Sequence, residues 1–209
     1  MSFAERANPE LAGRPQLIRG KRQILFAGMG RLTESSIVNF KNKSHAITAE
    51  VEVPTSGAEG VIVAQGGIAG GWTFYCRQGR LRYVYNFYGV EHYAVEGTMA
   101  VPEGSHQVRM EFAYDGGGLA KGGQVSLFID GAPAGSGRVE RTEPMVFSAD
   151  ETCDVGFEAG SPVTTDYTTP RGRFTGQVNW VEIAVDEAAE DLDHLLSPEE
   201  RYRVAMALQ

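Results

Sequence analysis

Residues 104–141 read GSHQVRMEFAYDGGGLAKGGQVSLFIDGAPAGSGRVER, and the alternation within this stretch decides the fold class of the chain. One face of its first half is formed by every second residue, namely His106, Val108, Met110, Phe112 and Tyr114. Its second half repeats the pattern at Val125, Leu127 and Ile129. A period of two is that of a β-strand with one buried face, and neither run keeps its apolar face on a helix. Because a glycine-rich loop separates the runs and the turn signal Asp130-Gly131 follows, the stretch predicts an antiparallel β-meander.

The same period continues on both sides of this meander. Ile47, Ala49, Val51 and Val53 oppose Thr48, Glu50 and Glu52, which predicts a half-exposed strand. A hairpin about Gln78-Gly79 is predicted by Trp72, Phe74 and Cys76 before it and by Leu81, Tyr83, Tyr85 and Phe87 after it. The apolar parity changes near Asn179 and Trp180, which predicts a β-bulge in the last strand.

Several phrases also carry a resemblance to a known family. They are DGGGLAKGG at 115–123, Asp130-Gly131, GRVERT at 137–142, KNKSH at 41–45 and FTG at 174–176. In this order they resemble the C-terminal β-sandwich domain of bacterial arylsulfatases, whose strand order is similar to concanavalin A-like and laminin G-like jelly rolls. The resemblance implies an all-β, two-sheet antiparallel jelly-roll sandwich without the catalytic sulfatase core.

Three parts of the chain are predicted. Residues 1–21 form a linker arm, residues 22–185 form the sandwich, and residues 186–209 form an acidic segment and a short helix. Ser197-Pro198-Glu199-Glu200 is a helix start with an N-cap, a first-turn proline and a capping-box glutamate, and the helix is expected to run to about Leu208. Its apolar stripe of Val204, Ala205 and Leu208 is expected to dock on a partner or on the sandwich.

Composition agrees with one globular domain and restricts its partners. With 209 residues the chain buries roughly 70% of its unfolded surface. A net charge of −8 argues against nucleic acid and anionic membrane surfaces as partners, since phosphates are bound chiefly by clustered lysine and arginine. The amino terminus has no signal-peptide pattern and no apolar run approaches the length of a membrane span, so a cytoplasmic location is expected for the chain as it stands.

The sequence matches known catalytic motifs only incompletely. Cys76 and Arg80 have the spacing of the sulfatase motif, but Gln78 stands where that motif has proline. Glu50 and Glu52 lie on one strand, as the carboxylates of concanavalin A-like glycosidases do, but they lack the further acidic partner of that motif and are interpreted as a solvated outer face. Cys76 and Cys153 have no metal-ligand spacing and are interpreted as two buried thiols, with a disulfide as the alternative.

Two candidate binding sites remain. Asp150, Glu151, Asp154, Glu158 and Asp166 supply oxygen ligands for calcium, although their spacing matches no known calcium loop. Tyr75, Tyr88 and Tyr93 are the aromatic residues expected to face away from the core, where a sugar ring stacks on a flat side chain.

The sequence therefore predicts a non-catalytic accessory domain that resembles the C-terminal domain of an arylsulfatase and that hydrolyses nothing by itself. An independent carbohydrate-binding, lectin-like module is the alternative, and a small enzyme with unrecognised carboxylates is a third possibility. Because its two ends resemble segments that lie beside a catalytic domain, a homo-oligomer or a complex with a separately encoded sulfatase-like chain is expected.

Overall fold

Short turns join several of the consecutive strands, whereas longer connections lead into β2, β10 and β11. The structure is a computed structural model that describes residues 17–18, 20–168, 172–189 and 194–207. Its strands are β1 Arg22–Phe26, β2 His45–Val53, β3 Gly60–Gly67, β4 Gly70–Arg77, β5 Arg80–Phe87, β6 Glu91–Ala100, β7 Gly104–Tyr114, β8 Gly123–Ile129, β9 Ala132–Val139, β10 Cys153–Val155 and β11 Gln177–Val185. In the described part of the chain an α-helix, α1, spans Pro198–Ala207. The arm predicted for residues 1–21 lies largely outside the described residues.

Two antiparallel sheets contain these strands. One sheet has the order β1-β11-β2-β7-β8-β9 and the other has the order β10-β3-β4-β5-β6. The predicted meander is present, with Met110 opposite Leu127 and Phe112 opposite Val125. The predicted bulge is present where the register of β11 shifts between Val178 and Trp180. The all-β, two-sheet prediction is therefore confirmed.

Tight turns join the hairpins at the predicted positions. Gln78 and Gly79 have φ values of 52° and 75°, and Asp130 and Gly131 have φ values of 49° and 77°. Two consecutive residues in the left-handed region match the right-handed twist of the strands they connect, which is why glycine takes the second position. These turns set the register of both hairpins.

The core lies between the sheets and is filled from both. Val108, Met110, Val125 and Leu127, predicted to be buried, are each 0% exposed. The facing sheet contributes large side chains, and those of Trp72, Phe74, Tyr83 and Leu81 are fully buried. Cys76 and Cys153 belong to the same core as free thiols, which agrees with their interpretation as small buried side chains.

The outer face of the six-stranded sheet differs from the prediction. Thr48 and Arg109 are 1% exposed, so the face of β2 expected to be solvated is largely covered. The Arg109 guanidinium donates to Ala189 O at 2.7 Å and to Thr48 Oγ1 at 2.8 Å. Gln107 exchanges two hydrogen bonds of 2.9 Å with the backbone of Leu196. The carboxy-terminal segment therefore lies across this face, which strand alternation does not encode.

Helix α1 begins with the predicted capping box. The Glu200 amide donates to Ser197 Oγ at 3.2 Å, and the Ser197 amide donates to Glu200 Oε2 at 2.8 Å. The helix lies beside β1, so it docks on the sandwich. The stripe predicted from Val204, Ala205 and Leu208 falls outside the described side chains. Among the described residues no helix is both long enough and apolar enough to span a bilayer.

His45 places a titratable ring in this core. Its ring centroid lies 4.5 Å from that of Phe40 and 5.0 Å from that of Phe112. Its Nδ1 lies 3.1 Å from Lys43 O, whereas its Nε2 has no hydrogen-bond partner among the described residues. Burial lowers the pKa of His45 to about 4. The imidazole is therefore neutral in the folded protein at neutral pH.

Replacing Leu127 by alanine is expected to destabilise the protein by about 2–5 kcal/mol, because a cavity opens in a core that receives side chains from both sheets. Gln124→Ala, on the same strand but on its exposed outer face, is expected to change the free energy of unfolding by about 0.5 kcal/mol or less. Urea unfolding of both variants measures the difference. Equal effects of the two substitutions would contradict the assigned faces of β8.

Acid is expected to destabilise the protein through His45. The unfolded chain takes up this proton near pH 6.5 and the folded chain takes it up only near pH 4, so stability is lost as pH falls through this window. Through His45 the free energy of unfolding is expected to fall by roughly 3 kcal/mol between neutral pH and about pH 4. Urea unfolding at pH values from 7 to about 4 is expected to show that wild type loses this much relative to His45→Gln. His92→Gln, on the exposed side of β6, is the control, and parallel curves for wild type and His45→Gln would refute the prediction.

Candidate functional site

A row of side chains crosses the outer face of the five-stranded sheet. Val61 on β3 pairs with Tyr75 on β4, Tyr75 pairs with Arg82 on β5, and Arg82 pairs with Glu96 on β6. Directly paired residues project from the same face of a sheet, so these four side chains are neighbours. Arg77 follows on β4 with the same parity. The row therefore brings two guanidinium groups and a phenol hydroxyl to one part of the sheet.

Asp166 reaches this row from the connection between β10 and β11. Its Oδ2 accepts hydrogen bonds from the Tyr75 hydroxyl and from Arg82 Nη1, the latter at 2.9 Å, and its Oδ1 is paired with Arg77. Burial on its own raises the pKa of the Asp166 carboxyl, but the bonds from Tyr75 and Arg77 and the charge of Arg82 outweigh it and hold that pKa below its usual value. The carboxylate is therefore ionised and held by three donors.

Tyr167 holds the same part of the connection against the sheet. Its hydroxyl lies 2.9 Å from Thr73 Oγ1, and its ring packs edge-on against Tyr75 with centroids 5.3 Å apart. Burial, reinforced by Asp166, raises the pKa of Tyr75 well above its usual value, so the phenol remains a hydrogen-bond donor. We refer to residues 164–168 as the cover segment.

A pocket of about 260 Å³ lies between β4 and the cover segment. Its lining combines hydroxyl groups, two carboxylates, a guanidinium group and aromatic rings, from Glu59, Gly60, Tyr75, Cys76, Arg77, Thr165, Asp166, Tyr167 and Thr168. A second hollow of about 250 Å³ shares Arg77 and is lined by Arg77, Gln78, Arg82 and Glu96. Donors and acceptors converge here on one small space, which suits a polar ligand with several hydroxyl groups.

The three tyrosines predicted to bind sugar do not come together. Tyr75 faces outward as predicted, but it is buried beneath the cover segment. Tyr88 is 47% exposed in the turn after β5, with its amide donating to Glu143 Oε1 at 2.7 Å. Tyr93 packs against the core cluster from the edge strand β6, so its predicted outward orientation is wrong. Whether any of them contacts a sugar stays a prediction.

The five carboxylates predicted to bind calcium are also dispersed among other partners. Asp154 accepts two backbone amides at 2.6 and 3.0 Å, Glu158 accepts another at 3.1 Å, and Glu151 accepts the Ser161 hydroxyl at 2.5 Å. Asp166 is paired with arginine and Asp150 is exposed. Within the described ranges no three histidine, cysteine or acidic side chains are grouped as metal ligands. Calcium binding at these residues stays a prediction.

Glu158 and a further carboxyl group, Glu143, are buried and have raised pKa values. Burial raises the pKa of Glu143 to about 8 and that of Glu158 to about 7. One oxygen of each, Oε2, has no hydrogen-bond partner in the part of the chain that the structure describes. Glu143 supports the turn that carries Tyr88, and the hydroxyl of Tyr167 lies close to Glu158. Both groups belong to the packing around the connecting loops.

Sequence reasoning missed Arg77 and Arg82. The signal for Arg82 was present, because a two-residue turn at Gln78-Gly79 places Tyr75 and Arg82 at equal distances on either side and therefore opposite each other. No local signal placed Asp166 beside them. Its position depends on the path of a long irregular connection.

Solved structures resemble this chain in fold. The CBM40 domain of the Ruminococcus gnavus IT-sialidase matches with a TM-score of 0.53 and 13% identity over 88% of this chain and 96% of that domain. The same domain bound to α2,6-sialyllactose gives a TM-score of 0.51 and 14% identity, again over 88% and 96%. The LG1–3 region of the laminin α2 chain gives 0.53 and 11% identity over 88% of this chain and 34% of that region. No family model and no curated protein matches the sequence.

These similarities identify the fold as a concanavalin A-like, laminin G-like β-sandwich. At such identities they carry no information on the ligand. The predicted relationship to arylsulfatases has no support in the comparisons, since the similar structures are laminin G-like and CBM40 domains.

Proposed function

We propose that this chain is a non-catalytic carbohydrate-binding module that holds a saccharide in the pocket between β4 and the cover segment. The observation that carries the proposal is the convergence of charged and hydroxyl groups there, on a sandwich whose fold is shared with a domain solved with a bound sialylated sugar.

The chemistry of the pocket suits a sugar. Each sugar hydroxyl both donates and accepts, and the lining offers carboxylate acceptors at Glu59 and Asp166 and a donor at Arg77. The pocket opens to solvent, since the side chain of Arg77 in its wall is 42% exposed. Its volume of about 260 Å³ lies just below the range of roughly 300–1,000 Å³ typical of drug-sized ligand sites, which favours one sugar ring of a longer chain.

A binding role without catalysis is supported by the state of the strand carboxylates. Glu50 and Glu52 lie on the outer face of the other sheet, and Glu50 Oε1 accepts from Asn179 Nδ2 at 3.1 Å. Cys76 is buried in the core, where burial raises the pKa of its thiol well above the usual value. A buried thiol of this kind is not prepared as a nucleophile.

The substitution Arg77→Gln is expected to weaken saccharide binding by about tenfold or more, because it removes a charged donor from the pocket wall. A glycan array identifies the ligand, and calorimetry with the strongest hit measures affinity. Arg138→Gln is the matched control, since the Arg138 side chain is 41% exposed, against 42% for Arg77, and also pairs with an aspartate. No binding by wild type to any glycan, or equal affinities of the two variants, would contradict the proposed site.

A second candidate function is an accessory domain that associates with a sulfatase-like catalytic chain. The phrases GRVERT and DGGGLAKGG favour it, and so does an apolar surface at the β1 edge. There Phe26 is 55% exposed and Met29 is 38% exposed, as expected of a surface that another polypeptide covers. In this reading the chain has no hydrolytic activity of its own.

If the β1 edge is an association surface, light scattering is expected to give a mass above that of the monomer for wild type, and Phe26→Asp is expected to lower it to the monomer. Met99→Asp, at an exposed position on β6 of the other sheet, is the control and leaves the mass unchanged. A monomeric wild type that also fails to bind a co-expressed sulfatase-like chain would argue against this candidate. Turnover of an aryl sulfate by the purified chain would refute both candidates.

A further inference from the structure

The Asp166 carboxylate is bound in this site in the way that an acidic ligand would be. Two guanidinium groups and one hydroxyl donate to it, from Arg77, Arg82 and Tyr75. Charged donors of this geometry are the usual means by which proteins recognise a carboxylate or a sulfate group. By comparison, the surface carboxylate of Asp115 is paired with a single arginine, Arg138. The Asp166 arrangement is therefore a receptor for an anionic group.

The donors and the carboxylate belong to different kinds of structure. Tyr75, Arg77 and Arg82 lie on the β4–β5 hairpin, which is hydrogen-bonded on both sides within its sheet. Asp166 lies in the cover segment, where the described residues form turns and bends. Paired strands hold their geometry more firmly than an irregular connection does. The receptor is therefore the rigid part, and its occupant is carried by the part that moves more easily.

The receptor also has unused capacity. The Nε of Arg82 is buried and has no hydrogen-bond partner among the described residues, and Glu96 Oε2 lies 3.8 Å away from it. Solvent reaches the site, because the side chain of Arg77 is 42% exposed. An incoming group with more oxygen atoms than one carboxylate therefore finds a donor that Asp166 leaves unsatisfied.

We propose that Asp166 is an internal stand-in for the acidic group of a saccharide ligand. A carboxylate or sulfate group on the sugar replaces Asp166 on Arg77, Arg82 and Tyr75, and the cover segment moves off the sheet. The inference rests on the proposed function and specifies its ligand class as an acidic saccharide. Exchange of one anion for another keeps the charge of the site balanced. Since the internal carboxylate competes with the ligand, the affinity of the wild-type chain is lower than that of the open receptor.

The test compares wild type, Asp166→Asn, the double variant Asp166→Asn with Arg82→Gln, and the control Asp115→Asn. Asparagine keeps the size of the side chain and removes its charge. The probes are methyl glucuronide for the carboxylate, methyl glucoside 6-sulfate for the sulfate, and methyl glucoside as the neutral sugar. Calorimetry or NMR titration measures each affinity, and circular dichroism with thermal unfolding reports whether each variant is folded.

Asp166→Asn is expected to bind at least one acidic sugar about tenfold more tightly than wild type and to bind the neutral sugar no more tightly. Adding Arg82→Gln removes the gain, and Asp115→Asn stays within about twofold of wild type. The acidic sugar that gains most identifies the group as carboxylate or sulfate. A folded Asp166→Asn variant without any gain overturns the inference.

A measurement on the wild-type chain keeps the test decisive if Asp166→Asn does not fold. The side-chain carboxyl carbon of Asp166 is followed by NMR during titration with both acidic sugars. Displacement is expected to shift its resonance and to raise the pKa of Asp166 toward the ordinary value, because the carboxylate loses its arginine and tyrosine partners. An unchanged resonance at saturation overturns the inference. Binding of a neutral glycan in the pocket with Asp166 unmoved does so too, but leaves the proposed function standing.

Discussion

Side chains alternate along every paired strand, and the arrangement of the whole molecule follows from this period of two. Each sheet packs one face against the shared core, and its other face is the outer face. At the centre of the six-stranded sheet, Ile47 pairs with Met110 and Ala49 pairs with Val108, all directed at the opposite sheet. A shift of one residue in either strand would exchange the two faces. The tight turns fix the register of the β4–β5 and β8–β9 hairpins, and the bulge adjusts the register of β11 against β2.

Segments outside the strands cover part of both outer faces, and each is held by an arginine of the sheet, which is buried at Arg109 and partly buried at Arg82. Arg109 holds the carboxy-terminal segment through Ala189 O, and Arg82 holds the cover segment through Asp166. Withdrawing a guanidinium group from water is costly unless its donors are satisfied. Polar contacts of this kind have strict geometry, so they place each segment at a defined position, whereas apolar packing tolerates sliding. Each covering segment is therefore held at a specific position on its sheet.

The proposed binding site arises where one such cover meets the sheet. Core residues such as Trp72 and Phe74 anchor β4 to the core, whereas their outward neighbours Thr73 and Tyr75 contact the cover segment. A sandwich of this kind serves many functions, because the packing of its core does not depend on which residues occupy its outer face and loops. Function is to be sought in the polar groups at this junction. The same reasoning explains why fold similarity leaves the ligand open.

Much of the sandwich was determined by local sequence: the meander from His106 to Ile129, the hairpin at Gln78-Gly79, the bulge beside Trp180 and the capping box at Ser197. Periodicity and turn chemistry act over a few residues, so a single sequence displays them directly. Even the pairing of Tyr75 with Arg82 follows from the symmetry of one turn. Tertiary structure alone decided that Asp166 meets two arginines, that Thr48 is buried and that Tyr93 faces the core. These outcomes depend on the positions of long connections and edge strands in the folded protein, and those positions are set by contacts between residues far apart in the chain.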